Sequence, residues 1–158
     1  MRRIVWPVVL LAVVSGAVVA SAQSRSSAVR SRAVLKATFN KTLKKTIVVD
    51  GAGRTLYILV ADGKDTATCQ SIAPDCPKAW PAFATTGSPR AGTGITQSLL
   101  GTTTGANGVR QVTYNHHPLY YFHGGYGTGP GDKKPGDVRG QGFSDYWYVL
   151  SPKGRLIK

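Results

Sequence analysis

The chain of 158 residues contains no glutamate; its seven acids are all aspartates. An acid–base pair would have to be drawn from scattered Asp, and neither a G-x-S-x-G elbow nor an H-E-x-x-H pair occurs. Catalysis therefore finds little support. Cysteine is nearly as scarce, with Cys69 and Cys76 in "CQSIAPDC" the only two. That spacing is not the C-x-x-C of a redox dithiol, and a zinc site would need two more soft ligands than these two thiolates supply. No long segment carries the period of an amphipathic helix.

What is present begins with a leader. Arg2 and Arg3 precede the apolar "IVWPVVLLAVVSGAVVA", and the small residues "ASA" (Ala20 to Ala22) form a cleavage site at its end. The pattern predicts a secretory signal peptide over residues 1–22. The rival reading, an uncleaved anchor, meets an apolar stretch at or below the ~18–20 residues of a membrane span. No Cys lies at the cleavage region to take a lipid. The mature chain is thus expected outside the cytoplasm: extracellular, periplasmic or cell-wall associated. In that setting Cys69 and Cys76 are most economically joined in a disulfide, worth ~2–3 kcal/mol for so short a loop.

The net charge of +13 is unevenly placed. Up to Lys45 there are nine Lys or Arg and no acid, whereas the rest of the chain has eleven against seven Asp. The basic segment 25–45 (Arg25, Arg30, Arg32, Lys36, Lys41, Lys44, Lys45) predicts salt-sensitive attraction to an anionic component of the cell envelope. A solvated linker is the alternative. No nucleic-acid recognition motif is present, and no span follows the leader.

"QSRSSAVRSR" (23–32) reads as a disordered basic linker and 33–158 as one folded domain. "AVLKATFN" and "KTIVVD" read as strands, and "GAGR" as a turn closing a hairpin with "TLYILVAD". A loop-rich stretch follows, pinned by Trp80 and Phe83, and "ITQSLLG" suggests one helical turn ended by Gly101. Asn107-Gly108 marks a hairpin turn, "NHHP" another turn, and "LYYF", "YWYVLS" and "RLIK" further strands. The expected class is all-β: a small single domain of two degenerate β-hairpin repeats with long Gly/Pro-rich loops.

The repeats span about 46–83 and 109–151. At an offset of 63 residues Val49 falls on Val112, Leu56 on Leu119 and Tyr57 on Tyr120, and each unit ends on a Trp, Trp80 or Trp147. "VVDGAGRTLYILVAD", "CPKAWPAF", "SLLGTTTGANGVRQVTYNHHPLYYF" and "PGDVRGQGFSDYWYVLSPKG" resemble the bacterial secreted-repeat and lipoprotein family of unknown function. A Y-x-[FWY]-x-x-D motif, often in tandem copies, defines that family. Copy one keeps Tyr57 and Asp62, with Leu59 at the aromatic position. Copy two keeps Tyr120 and Phe122, with Gly125 at the aspartate position.

Tyr57, Asp62, Tyr120 and Phe122 have two readings. They are core packing with each hydroxyl partnered, or an aromatic platform with a carboxylate at its rim for a sugar or cation. His116, His117 and His123 lie within eight residues and could bind Cu or Zn, the basis of an alternative metal-binding or redox accessory role. Asp132 and Asp137 read as turn formers, with Ca²⁺ ligation the weaker alternative. The leading functional expectation is an exported, non-enzymatic binding domain of the envelope without a cofactor.

Overall fold

The computed structural model describes residues 32–158. The expected signal peptide and, apart from Arg32, the expected linker lie outside the described residues. In chain order the elements are β1 (Val34–Asn40), β2 (Lys45–Asp50), β3 (Tyr57–Leu59), α1 (Cys69–Ile72), α2 (Cys76–Ala79), β4 (Arg90–Ala91), β5 (Leu100–Thr104), β6 (Arg110–Tyr114), β7 (His117–Pro118), β8 (Trp147–Leu150) and β9 (Leu156–Ile157). They form three small sheets of orders β2-β1-β4, β3-β8-β9 and β5-β6-β7, so the all-β class holds. Among the described residues no helix is long and apolar enough to cross a membrane.

Strand alternation builds the core. Ile47, Val49, Tyr57, Leu59, Tyr120, Phe122 and Trp147 meet in one buried cluster. Their neighbours in sequence, Val48, Leu56, Ile58 and Leu119, point the other way into a second cluster with Phe83, Val112 and Tyr114. The central segments are therefore covered on both faces, which is why they read as continuous apolar runs.

Turn chemistry sets the hairpins. Asn107 and Gly108 both take positive φ (56° and 72°) and join β5 to β6 as expected. The hairpin expected between "KTIVVD" and "TLYILVAD" is different. β2 forms its full ladder with β1, and across the "GAGR" turn only Val49 and Thr55 bridge. The chain then leaves the sheet, because Tyr57–Leu59 is buried on both faces and finds its edge on β8 instead. "LYYF" is extended but makes only isolated bridges through Tyr120. The turn expected in "ITQSLLG" is a 3₁₀ turn at Gln97–Leu99, and Gly101 belongs to β5. The loop-rich stretch contains the short α1 and α2, linked by the Cys69–Cys76 disulfide.

The two Tyr segments do not pack as separate hairpin units. Tyr57 and Tyr120 exchange both backbone bonds, N–H to O at 2.9 Å each way. Tyr57–Leu59 then pairs with Trp147–Val149. Reciprocally, Tyr120 bridges Ala82, and Tyr121 and His123 donate N–H to the carbonyls of Pro81 and Ala79, both at 2.8 Å. Each Tyr segment thus lies along the Trp segment of the other half.

Candidate functional site

The same exchange governs the motif side chains. Tyr120 donates its hydroxyl to Asp62 Oδ2 at 2.8 Å. Asp62 Oδ1 accepts the N–H and hydroxyl of Thr68, at 2.7 and 2.8 Å. Tyr57 donates to Asp132 Oδ2 at 2.7 Å, and Asp132 Oδ1 accepts the Arg139 N–H at 2.9 Å. The backbone matches too. Asp62 N–H donates to the Leu59 carbonyl at 3.0 Å, and Asp132 N–H to the Phe122 carbonyl at 2.9 Å.

This corrects the reading of copy two. The aspartate is not lost at Gly125; Asp132 takes its place seven residues later. The intervening residues loop out as a small excursion, closed by the Gly124–Pro130 bridge and a Gly125 N–H to Gly129 carbonyl bond at 2.7 Å. A Cβ on Gly124 or Gly131 would collide with the opposite backbone, so both ends of the excursion require glycine. The sequence signal was available: "PGD" follows a glycine-rich stretch.

Burial dominates the electrostatics. Desolvation, then the nearby carboxylate and the bond to it, raise the phenol pKa of both Tyr57 and Tyr120 far above the ordinary value. Desolvation also raises Asp62 and Asp132, against the lowering effect of the bonds they accept. Tyr57, Tyr120 and Phe122 are almost wholly buried and pack around the stacked Trp80 and Trp147, whose centroids lie 3.8 Å apart. Tyr57 meets Trp80 edge-on at 5.5 Å, and Tyr120 meets Trp147 edge-on at 5.2 Å. These rings pack against one another inside the core.

The open surface lies elsewhere. A groove of about 640 Å³ runs between the β1–β2 hairpin and the loop 134–137. Its walls are tied by Asn40 Nδ2 donating to the Gly136 carbonyl at 2.9 Å and Thr55 Oγ1 to the Asp137 carbonyl at 2.5 Å. Lys36, Lys41 and Lys134 line it, with Phe39 exposed at 60%. Asp137, the one carboxylate lining it among the described residues, accepts N–H bonds from Lys133 and Lys134 at 2.9 and 3.3 Å. Those bonds come first among the causes that lower its pKa.

Residues 101–151 match the model of a family described as a secreted repeat of unknown function. Over those residues the chain is similar to that secreted repeat. No curated protein and no solved structure matches it. The match covers the second copy, including Tyr120, Phe122, Asp132 and Trp147, and bears out the resemblance read from the motifs. Together with the disulfide, it points to an exported protein.

All three histidines fall inside the matched residues, and His116 sits in a left-handed turn, with Asn115 and His116 at φ 48° and 68°. His116 Nδ1 lies 2.6 Å from Asp65 Oδ2. His117 is half-buried, and desolvation lowers its pKa against the opposing charge of Asp62. His123 stacks on Tyr121, with centroids 6.3 Å apart. Among the described residues no group of three or more His, Cys, Asp or Glu is placed to hold a metal ion. Asp137 caps a turn through its bonds to Lys133 and Lys134.

Proposed function

We propose that this exported secreted-repeat protein is a non-enzymatic binding domain that holds a polyanion of the cell envelope in the groove lined by Lys36, Lys41 and Lys134. The groove carries the reading. It gathers lysines from the basic N-terminal segment and from a loop about a hundred residues away, and its one carboxylate is engaged by backbone N–H groups. The motif tyrosines and aspartates hold the scaffold, leaving the hairpin and loop free to meet the ligand.

The test is binding of the protein to a soluble anionic polymer such as poly(glycerol phosphate), compared with the Lys36→Ala/Lys41→Ala/Lys134→Ala variant. A lysine near an anionic surface contributes about 1 kcal/mol, so the triple variant is expected to bind on the order of 100-fold more weakly with unchanged melting temperature. Equal binding by the two proteins refutes the groove as the site.

A further inference from the structure

A second, smaller pocket of about 130 Å³ adjoins the groove, sharing Thr55 and Lys134 with it. Arg54, Tyr121, His123 and Lys133 complete its polar wall. Resting on the polyanion reading above, we infer that this pocket recognises phosphate, and that the polymer in the groove is a phosphodiester chain.

The argument is the way Arg54 is held. Its Nε donates to Asp50 Oδ2 at 2.8 Å and its Nη2 to the Tyr121 hydroxyl at 2.8 Å. The Tyr121 hydroxyl in turn donates to Asp50 Oδ2 at 2.9 Å, and the guanidinium carbon lies 4.3 Å from the Tyr121 ring centroid. Asp50 is itself buried, and its Oδ1 accepts the backbone N–H groups of Ala52 and Arg54. The guanidinium is therefore oriented before any ligand arrives. Among the described residues Nη1 makes no hydrogen bond. A planar fork of this kind matches the paired oxygens of a phosphate, and Lys133 and Lys134 add point charges beside it.

Asp132 also lines the pocket. Its two oxygens are occupied by the Tyr57 hydroxyl and the Arg139 N–H, so it faces the site as an engaged group. Continuity with the larger groove, through the shared Thr55 and Lys134, favours a chain over a flat membrane. A polymer can place one phosphate on Arg54 and run past Lys134 towards Lys36 and Lys41.

The experiment compares poly(glycerol phosphate), polygalacturonate of similar charge density, and phosphatidylglycerol vesicles as probes of the full protein. Arg54→Lys keeps the charge and loses the fork; Tyr121→Phe keeps the ring and loses the hydroxyl that positions the guanidinium. Both variants are checked first by near-UV circular dichroism. The expected result is about a tenfold loss of poly(glycerol phosphate) affinity in Arg54→Lys, a smaller loss in Tyr121→Phe, and less than about a twofold change with polygalacturonate. Equal losses with both polymers overturn phosphate recognition while leaving the polyanion reading intact. Tight binding to vesicles alone, with the same Arg54 dependence, overturns the polymer in favour of a lipid headgroup. If no probe binds, the polyanion reading fails and this inference falls with it.

Discussion

Tyr120 donates a hydrogen bond from its phenolic hydroxyl to Asp62, a residue 58 positions earlier in the chain, across the boundary between the two copies of the motif. Tyr57 makes the reciprocal bond to Asp132, 75 positions later. A bond from a neutral donor to a partly buried carboxylate is worth about 1.5–3 kcal/mol. Tyr120→Phe and Asp62→Asn should therefore each destabilise the fold. In a double-mutant cycle by urea unfolding they should couple by about 1–2 kcal/mol. Additive effects would mean that the bond contributes nothing beyond packing.

The excursion before Asp132 should be dispensable. Deleting residues 125–131 joins Gly124 to Asp132 and restores the spacing Tyr120-x-Phe122-x-x-Asp. The shortened chain is expected to fold with the Tyr57–Asp132 bond intact, since the Asp62 turn shows the geometry closes at that length. Retained near-UV circular dichroism and cooperative melting are the expected readouts. A molten or insoluble product would show that the excursion is needed to bring Asp132 into place.

Trp80 and Trp147 stack with planes only 2° from parallel. Transitions in indoles so close should couple and give an exciton couplet in far-UV circular dichroism. Trp80→Phe and Trp147→Phe should each abolish it, whereas Phe143→Leu should leave it. Substituting either Trp by Ala should cost roughly 3–5 kcal/mol, as for other large core truncations. A couplet that survives either Trp→Phe change would contradict the stack.

Much of this architecture was legible in the residues. Alternation in "TLYILV" and "LYYF" assigns Tyr57, Leu59, Tyr120 and Phe122 to one face, and they share one cluster. The Asn107-Gly108 turn follows from the positive φ it needs, and the disulfide from two cysteines in an exported chain. Pairing was not legible. A strand buried on both faces carries no mark of which edge it will meet, so the partnership of Tyr57–Leu59 with Trp147–Val149 lay hidden. Asp132 escaped because motif spacing assumes an unbroken chain. The groove joins Lys36 to Lys134 through tertiary folding, which composition can suggest only as a basic excess.

Acid should strengthen the contribution of Asp132. Its pKa is raised above the ordinary aspartate value, chiefly by desolvation, so the folded state binds its proton more tightly than the unfolded chain does. Stability from this group therefore falls as pH rises from 3.8 through the folded value, and returns as pH falls. The melting temperature of the native protein relative to Asp132→Asn should rise between pH 7 and pH 4. His117, with its lowered pKa, opposes this trend in both proteins and cancels in the comparison. A difference that shrinks on acidification would show the ionised Asp132 to be the stabilising form.

The most direct test of the groove is the salt dependence of binding to poly(glycerol phosphate), measured for the native protein and the Lys36/Lys41/Lys134 alanine variant. Each lysine that neutralises a phosphate releases about one counterion, so the logarithmic slope of affinity against salt should be smaller by roughly two to three in the variant. Identical slopes in the two proteins would place the anion contacts elsewhere and contradict the account.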